Sequence, residues 1–273
     1  MKAIIIVLTV LISFAVAGKK NRQPSAVATS IPALGALSKE ILKGTPIKVI
    51  EPFGGDISID EFEGIARDYE TELDELAKVA VAVVGIRSII PSDPLFVQLR
   101  HRNIRIVEID CATPSSPVLS ALGKVRRKDG TPNPFVWLSL SNAIRIAEIL
   151  GSDFSALFPA HSKTVSANLL EFKRNANTLR NEFVRLFLET DDFSAVSLTD
   201  DFDYLLKDID LFVVEDFPAA VIINGWEADS LGIKTAVLKT GLPAEEDEFE
   251  EGFLEFWKRN VSAILNAMRE RDD

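Results

Sequence analysis

The most constraining feature of this sequence is a long helical stretch, free of Gly and Pro, in its second half. From Ser162 to Leu188, apolar side chains recur at alternating spacings of four and three residues. The apolar positions are Val165, Leu169, Phe172, Ala176, Leu179, Phe183 and Leu186. At about 1.5 Å per residue, such a helix extends on the order of 40 Å, enough to cross two lobes. The spacing also fits a coiled-coil dimer, but it lasts fewer than about four heptads, so packing within the chain is the favoured prediction.

Short β-favouring apolar runs alternate with helical patterns on both sides of this helix. The runs lie at 26–31, 47–52, 79–85 and 104–109 before it, and at 195–198, 211–214, 219–223 and 235–238 after it. Strands that alternate with helices indicate parallel β-α-β units. We therefore predict an α/β fold in which two α/β lobes with parallel sheets are joined by one long backbone helix.

The same patterns predict the boundaries of the lobes. The N-terminal lobe takes residues 24–140, the connecting helices take 141–190, and the C-terminal lobe takes 191–273. Helical periodicity further predicts helices over 59–76, 142–150 and 246–268.

Residues 1–17 have the pattern of a cleavable secretory signal peptide. Lys2 precedes an apolar run, and small residues at Ala15 and Ala17 come just before Gly18. The run is shorter than a typical membrane span, and an uncleaved anchor is the alternative. No cysteine stands at the junction, so a lipid-anchored end is not expected. We predict a periplasmic or secreted protein with no stable membrane insertion after cleavage.

Charge and rare residues exclude several functional classes. The chain has 30 Lys and Arg against 41 Asp and Glu, and it lacks the dense basic stripe that a nucleic acid would require. Cys111 is the only cysteine, so neither an internal disulfide nor a Cys-based zinc cluster is expected. His101 and His161 are the only histidines, and neither lies in a catalytic motif. No phosphate-binding Gly loop is present, so we predict neither an enzyme nor a bound cofactor.

Five segments, in order along the chain, resemble segments of the metal-binding solute-binding proteins of ABC transporters, which deliver zinc or manganese to a membrane permease. They are VATSIPALGALSKEI (27–41), PFGGDIS (52–58), NPFVWLSLSNAIRIAEIL (133–150), LTDDFDYLLKDIDL (198–211) and VLKTGL (237–242). The resemblance covers most of the chain after the signal. It implies two α/β lobes with metal held between them by four ligands, normally three histidines and a carboxylate or a fourth histidine. It also implies an ABC-transporter permease as partner.

The resemblance places these four ligand positions at Ser58, Phe135, Thr199 and Lys239. None of the four is a normal zinc ligand, because zinc requires nitrogen, sulfur or carboxylate donors. Phe135 has no lone pair to offer. The Lys239 ammonium would repel a dication by several kcal/mol at ~4 Å and an effective dielectric near 20. We therefore predict a degenerate site that holds no transition metal.

Acidic residues beside these positions suggest two further hypotheses. Lys239 pairs with Asp200 across the cleft as an internal substitute for the metal, or Lys239 points to solvent while Asp200 caps the following helix. Alternatively, Asp56, Asp200 and Asp201 retain weak binding of Mg, Ca or Mn.

The cleft also has the groups to bind a different solute. The hydroxyls of Ser58 and Thr199 and the ammonium of Lys239 suit an anion or a small polar molecule. Phe135 and Trp137 would then form an apolar wall, although core packing is the simpler explanation for Trp137.

The expected function is that of an exported solute-binding protein with a degenerate metal site. It binds a non-metal solute or acts as an accessory to metal uptake, with a permease or a metal-competent relative as partner. The alternative is a structural or interaction protein that uses the fold as a rigid scaffold and carries no solute.

Overall fold

The structure is a computed structural model that describes residues 25–53, 59–114, 116–190, 194–214, 221–225, 235–242 and 252–269. The predicted signal peptide lies outside the described residues. Two of the predicted cleft residues, Asp56 and Ser58, also lie outside them.

Within the described residues, the sheet of the first lobe has four strands. They are β1 (Ala26–Ala28), β2 (Lys48–Ile50), β3 (Ala80–Gly85) and β4 (Val107–Asp110). All neighbours are parallel, and the spatial order is β2-β1-β3-β4. The central strands β1 and β3 consist of Ala, Val and Gly and are almost wholly buried, as a parallel sheet covered on both faces requires. The four strands predicted in this lobe are confirmed.

The helices of the first lobe are α1 (Pro32–Leu42), α2 (Phe62–Ile65), α3 (Glu70–Val79) and α4 (Leu95–Arg102). The single helix predicted over 59–76 is wrong. A 3-10 turn at Ile59–Glu61, then α2 and α3, take its place. Gly64 adopts a φ of 97°, a left-handed value that favours glycine and interrupts the helix. Apolar spacing did not reveal this break because Gly64 alters the backbone without altering the spacing.

The second sheet, as far as the chain is described, also has four parallel strands. They are β5 (Ser194–Ser197), β6 (Phe212–Val213), β7 (Val221–Asn224) and β8 (Thr235–Val237), in the order β6-β5-β7-β8. If the strands of each lobe are numbered from its own first strand, both sheets have the spatial order 2-1-3-4. A 3-10 turn at Asp200–Phe202 leads into α7 (Asp203–Asp208). The helix predicted over 246–268 is confirmed as α8 (Phe253–Arg269), which ends one residue later than predicted, while residues 246–251 lie outside the described residues.

The lobes are connected by α5 (Leu140–Leu157) and α6 (Ser162–Phe187). The long helix predicted from 162 to 188 is confirmed as α6, and it packs on α1, α5 and α8 of the same chain. The predicted end of α5 at residue 150 is wrong, because Gly151 does not stop the helix. A Cβ at Gly151 would lie 2.8 Å from Cδ2 of Leu169, so glycine here permits close contact between α5 and α6.

One apolar cluster continues from the first sheet through the connecting helices into the second lobe. It includes Val27 of β1, Phe172 of α6 and Trp257 of α8. A smaller cluster covers the other face of the first sheet. None of the helices in the described residues combines the length and apolar character that a membrane span needs.

Candidate functional site

The segment that carries Phe135 and Trp137 contacts two loops of the second lobe. These loops carry Thr199 and Lys239, two of the ligand positions that the family resemblance implies. Asn133 is fully buried, and its Nδ2 donates a hydrogen bond to the Asp200 carbonyl at 2.6 Å. Its Oδ1 accepts from the Phe135 amide at 2.9 Å. Trp137 is buried and donates from Nε1 to the Thr240 carbonyl at 2.7 Å. The core-packing explanation of Trp137 therefore agrees with its position.

The side chain of Phe135 is half-buried between an aromatic ring and a cation. Its ring meets Trp137 edge to face, with centroids 5.7 Å apart and an interplanar angle of 88°. The Arg127 guanidinium carbon lies 5.8 Å from the Phe135 centroid, within the range of a cation–π contact. Phe135 is therefore in contact with a positive charge supplied by the protein.

Arg127 lies in a hairpin formed by residues 124–133. The Arg127 amide donates to the Thr131 carbonyl at 2.9 Å, and the turn is closed by Gly130 with a φ of 86°. Sequence analysis missed this hairpin. The Asp-Gly pair at 129–130 is a recognised turn signal that could have predicted it.

Two cations of the 124–133 hairpin contact two carboxylates of the second lobe. Arg127 Nη2 lies 2.6 Å from Asp201 Oδ1. The Lys128 amide donates to Asp200 Oδ2 at 2.7 Å, and its Nζ lies 3.6 Å from Asp200 Oδ1. The side chains of Arg127 and Asp201 are about a third exposed, at 32% and 33%. Such exposed pairs contribute roughly 0.2–1 kcal/mol, so they position the lobes more than they stabilise the fold.

A backbone contact also ties the hairpin to α7. The Val125 amide donates to the Tyr204 hydroxyl oxygen at 2.9 Å. Tyr204 is buried at the start of α7, and burial raises the pKa of its phenol. A neutral hydroxyl in this place both accepts the bond and avoids a buried charge.

The predicted ion pair between Lys239 and Asp200 is wrong. Among the described residues, the Asp200 carboxylate contacts Lys128 instead, while the Lys239 side chain is exposed. The backbone of Lys239 is held by Asn260, which accepts from its amide at 2.8 Å and donates to its carbonyl at 3.0 Å. The alternative that Lys239 points to solvent agrees with the structure.

The cap of the segment after β5 is Thr199 rather than Asp200. Thr199 Oγ1 accepts from the Asp201 amide at 3.2 Å, at the start of the 3-10 turn. Because Thr199 provides the cap, the carboxylates of Asp200 and Asp201 are both free to contact the 124–133 hairpin. The pKa of the nearby Asp203 is raised by burial and, next, by the charge of Asp200.

Two further contacts join the lobes away from the hairpin. The Asp208 carboxylate, at the end of α7, accepts from Ser139 Oγ and the Leu140 amide, both at 2.9 Å, and so caps the start of α5. Trp257 of α8 donates from Nε1 to the Leu138 carbonyl at 2.9 Å. A carboxylate at a helix N-terminus also interacts favourably with the helix dipole.

The first lobe contains a buried carboxyl that sequence analysis did not single out. Asp93 is 2% exposed and accepts hydrogen bonds from the Ser30 hydroxyl and, at 3.0 Å, from the Leu95 amide. Burial raises the pKa of Asp93 despite these bonds. Asp93 lies in a loop beyond β3. Apolar periodicity predicts residues of helices and strands and gives no information about loop residues.

In the described part of the chain, no three side chains of His, Cys, Asp or Glu lie close enough to hold a metal ion together. His101 lies on the last turn of α4, and His161 directly precedes α6. Asp200 and Asp201 already contact cations of the hairpin. The suggested carboxylate set also includes Asp56, which lies outside the described residues.

The family model of zinc-uptake complex component A, periplasmic (ZnuA), matches residues 27–221, more than half of the chain. None of the curated protein sequences matches this chain.

Solved structures of periplasmic metal receptors share the fold. The structure of FpvC from Pseudomonas aeruginosa in complex with Mn²⁺ matches with a TM-score of 0.69 at 16% identity, covering 91% of this chain and 100% of that one. A mutant of FpvC matches with a TM-score of 0.70 at 17% identity, covering 90% and 99%. The Cd-bound periplasmic metal binding protein of Candidatus Liberibacter asiaticus matches with 0.69 at 13% identity, covering 89% and 99%. At these identities the likeness shows the fold alone.

The predicted fold class and family resemblance are both confirmed by these matches. Receptors of this family are periplasmic, bind solutes rather than catalyse reactions, and work with ABC-transporter permeases. This chain belongs to the family of the periplasmic zinc-uptake complex component A.

Proposed function

We propose that this chain is an exported receptor of the family in which a protein cation takes the place of the transported metal ion. It assists metal uptake rather than carrying the metal itself. The observation that supports this most directly is the position of Arg127. Its guanidinium lies 5.8 Å from the centroid of Phe135, a ligand position by family resemblance, and 2.6 Å from the carboxylate of Asp201.

The electrostatics of this arrangement oppose a second cation. A dication at ~4 Å from a guanidinium, at an effective dielectric near 20, is repelled by several kcal/mol. Phe135 supplies no donor atom to offset that repulsion. Asp201 would have to leave Arg127 in order to bind a metal.

The contacts between the lobes support an accessory role. The 124–133 hairpin and Asp208 join the lobes through bonds that need no solute. A receptor held in one arrangement can contact a permease or a metal-competent relative through its outer surfaces. Export through the predicted signal at residues 1–17 belongs to the same proposal.

Elemental analysis and native mass spectrometry of protein purified from its own host, without chelators, test the proposal. We expect no stoichiometric zinc or manganese. Titration calorimetry with either ion should give no specific binding to the unaltered chain. Stoichiometric zinc or manganese bound at submicromolar affinity would contradict the proposal.

A matched pair of variants sharpens this test. The double variant Phe135→His with Arg127→Met restores a donor and removes the cation, so we expect measurable zinc binding. The control is Leu170→His with Arg174→Met on the exposed face of α6, which likewise adds a histidine and removes an arginine, but away from the cleft. Equal zinc binding by both variants would show that any added histidine suffices.

A second candidate function is the binding of a small anionic or polar solute. Thr199 Oγ1 accepts a hydrogen bond and retains its own hydrogen for donation. The exposed Lys239 forms no ion pair with any of the described carboxylates. A rise in melting temperature with phosphate, sulfate or citrate, lost on Lys239→Met, would favour this candidate. Inertness toward metals and anions alike would favour a scaffold that carries no solute.

A further inference from the structure

We propose that the outward face of the 124–133 hairpin is a docking surface for an acidic, extended segment of a partner protein. This face consists of Lys124, Arg126 and Lys128, three cations at alternate positions on one arm of the hairpin. Lys124 and Arg126 are exposed and form no ion pair with the described cleft carboxylates, whereas the Lys128 ammonium lies 3.6 Å from Asp200 Oδ1 although its side chain is 84% exposed. The inference therefore rests mainly on Lys124 and Arg126 and does not require the cleft to hold or lack a metal.

Side chains along this arm alternate between two environments. The Val125 side chain packs against the main apolar cluster, and the Arg127 side chain pairs with Asp201. Lys124, Arg126 and Lys128 are exposed, and the Lys128 side chain is 84% exposed. Such alternation is the ordinary geometry of a strand, in which successive side chains point to opposite faces. One face of the arm therefore joins the lobes. The other presents Lys124 and Arg126 to solvent, with Arg126 also donating to the Gly130 carbonyl at 2.6 Å, and the largely exposed Lys128 lies at its edge beside Asp200.

The backbone beneath these cations is fixed at several points. Arg126 and Pro132 form an antiparallel bridge, and the Asn133 amide donates to the Val125 carbonyl at 3.0 Å. The Lys128 amide is bonded to the Asp200 carboxylate. A partner that binds here has to immobilise only the ends of the exposed side chains, because the loop is already ordered. The entropic cost of binding is therefore lower.

The charge of the hairpin is opposite to that of the whole chain. The chain has a formal net charge of −11, whereas residues 124–131 include Lys124, Arg126, Arg127 and Lys128 against the single carboxylate of Asp129. That carboxylate is exposed and bonded within the turn, accepting from the Thr131 amide at 2.8 Å and the Thr131 hydroxyl at 2.6 Å. Like charges about 7 Å apart on alternate strand residues repel each other, and acidic side chains of an extended partner have the same spacing.

A protein segment fits this surface better than a lipid bilayer or a second copy of the chain. An anionic bilayer extends across many Debye lengths of about 8–10 Å and would repel a molecule of this net charge. A second copy carries the same negative charge. A short acidic segment interacts mainly with the hairpin, because Arg127 and Lys128 offset the charges of Asp201 and Asp200, and salt screens the carboxylates that lie farther away.

The test measures binding of a fluorescently labelled peptide of alternating glutamate and serine by anisotropy, at low and at physiological ionic strength. The variant is Lys124→Glu with Arg126→Glu, which leaves the Lys128–Asp200 contact in place. The control is Lys163→Glu with Arg174→Glu, two exposed cations of α6, which changes the net charge equally. We expect the hairpin variant to weaken binding at least about tenfold and the control about twofold or less. Unchanged melting temperature of the hairpin variant confirms that it folds.

Equal weakening by both variants would contradict the proposal, because net charge alone would then explain binding. Tighter binding of the unaltered chain to phosphatidylserine vesicles or to inorganic phosphate than to the peptide would contradict it too. Self-association of the unaltered chain in sedimentation, abolished by the hairpin variant, would reassign the surface to a second copy. None of these results depends on metal binding, so failure here and failure of the proposed function are distinguishable.

Discussion

The two lobes of this protein are held together by two regions of different character. The 124–133 hairpin contacts the 3-10 turn before α7 through ion pairs that are partly open to solvent, such as Arg127 with Asp201, whose side chains are about a third exposed. Near α5 and α8 the contacts are buried, with Trp257 1% exposed and bonded to the Leu138 carbonyl. Burial of apolar surface contributes far more free energy than an exposed ion pair. We infer that the buried region stabilises the fold and the hairpin sets the arrangement of the lobes.

Among the contacts between the lobes, removal of the Trp257 side chain should have the largest effect on stability. Trp257→Ala leaves a cavity in the shared core and an unpaired Leu138 carbonyl, which we expect to cost about 3–5 kcal/mol of unfolding free energy. Chemical denaturation measures the loss. Trp257→Phe, which keeps an aromatic ring but loses the N–H, serves as the control and should cost clearly less. A loss below about 1 kcal/mol for the alanine variant would contradict the assigned role.

Removal of the Asp208 carboxylate should have an intermediate effect. Asp208→Ala leaves Ser139 Oγ and the Leu140 amide without their acceptor, and we expect a cost of about 1–3 kcal/mol. The matched control is Asp74→Ala, which removes an exposed carboxylate paired with Arg102. Equal melting temperatures of the two variants would show that Asp208 is no more important than a surface ion pair.

Asp93 should make the stability of the first lobe depend on pH. Because burial raises its folded-state pKa, the folded chain holds this proton more tightly than the unfolded chain. The stabilising contribution is therefore complete below the ordinary pKa of about 3.9 and is lost as the pH rises through the raised value. Denaturation at a series of pH values should show that contribution in the unaltered chain and not in Asp93→Asn. Asp68→Asn, the same change at an exposed position, is the matched control.

The Arg127–Asp201 pair should have the smallest effect on stability and a visible effect on lobe arrangement. A double-mutant cycle with Arg127→Ala and Asp201→Ala should give a coupling of about 0.2–1 kcal/mol. X-ray scattering of Arg127→Ala should reveal a larger radius of gyration. The control pair is Lys39 with Glu51, an exposed ion pair within the first lobe, whose removal should leave the radius unchanged. An unchanged radius for Arg127→Ala would mean that the buried region alone sets the arrangement.

Sequence patterns predicted the parts of the fold that depend on apolar spacing. The eight strands were predicted from short continuous apolar runs, which burial on both faces of a parallel sheet favours, and α6 from apolar spacing, since burial of one helix face imposes a period on the sequence. Gly64 and Gly151 show where apolar spacing fails to predict helix ends. Gly64 interrupts the helix predicted over 59–76, whereas α5 continues through Gly151. Only the neighbouring backbone and side chains distinguish the two cases.

The candidate site was less predictable, because it depends on which side chain reaches across a gap between lobes. The family resemblance directed attention to Lys239 as the internal cation, whereas the structure brings Arg127 and Lys128 to Asp201 and Asp200. A cation more than seventy positions from its partner leaves no local trace in the sequence. The positions of Asp56 and Ser58 stay predictions.

The apolar cluster that passes through both lobes and the helices between them has a consequence for how the chain melts. The larger interior is shared by both halves, since Val27 at one end and Trp257 at the other belong to one set of packed side chains. Heating should therefore give a single calorimetric transition in which both halves lose structure together. A gene fragment that encodes either half would expose the face meant for the other and aggregate, so the smallest cooperative unit of this receptor is the whole of it.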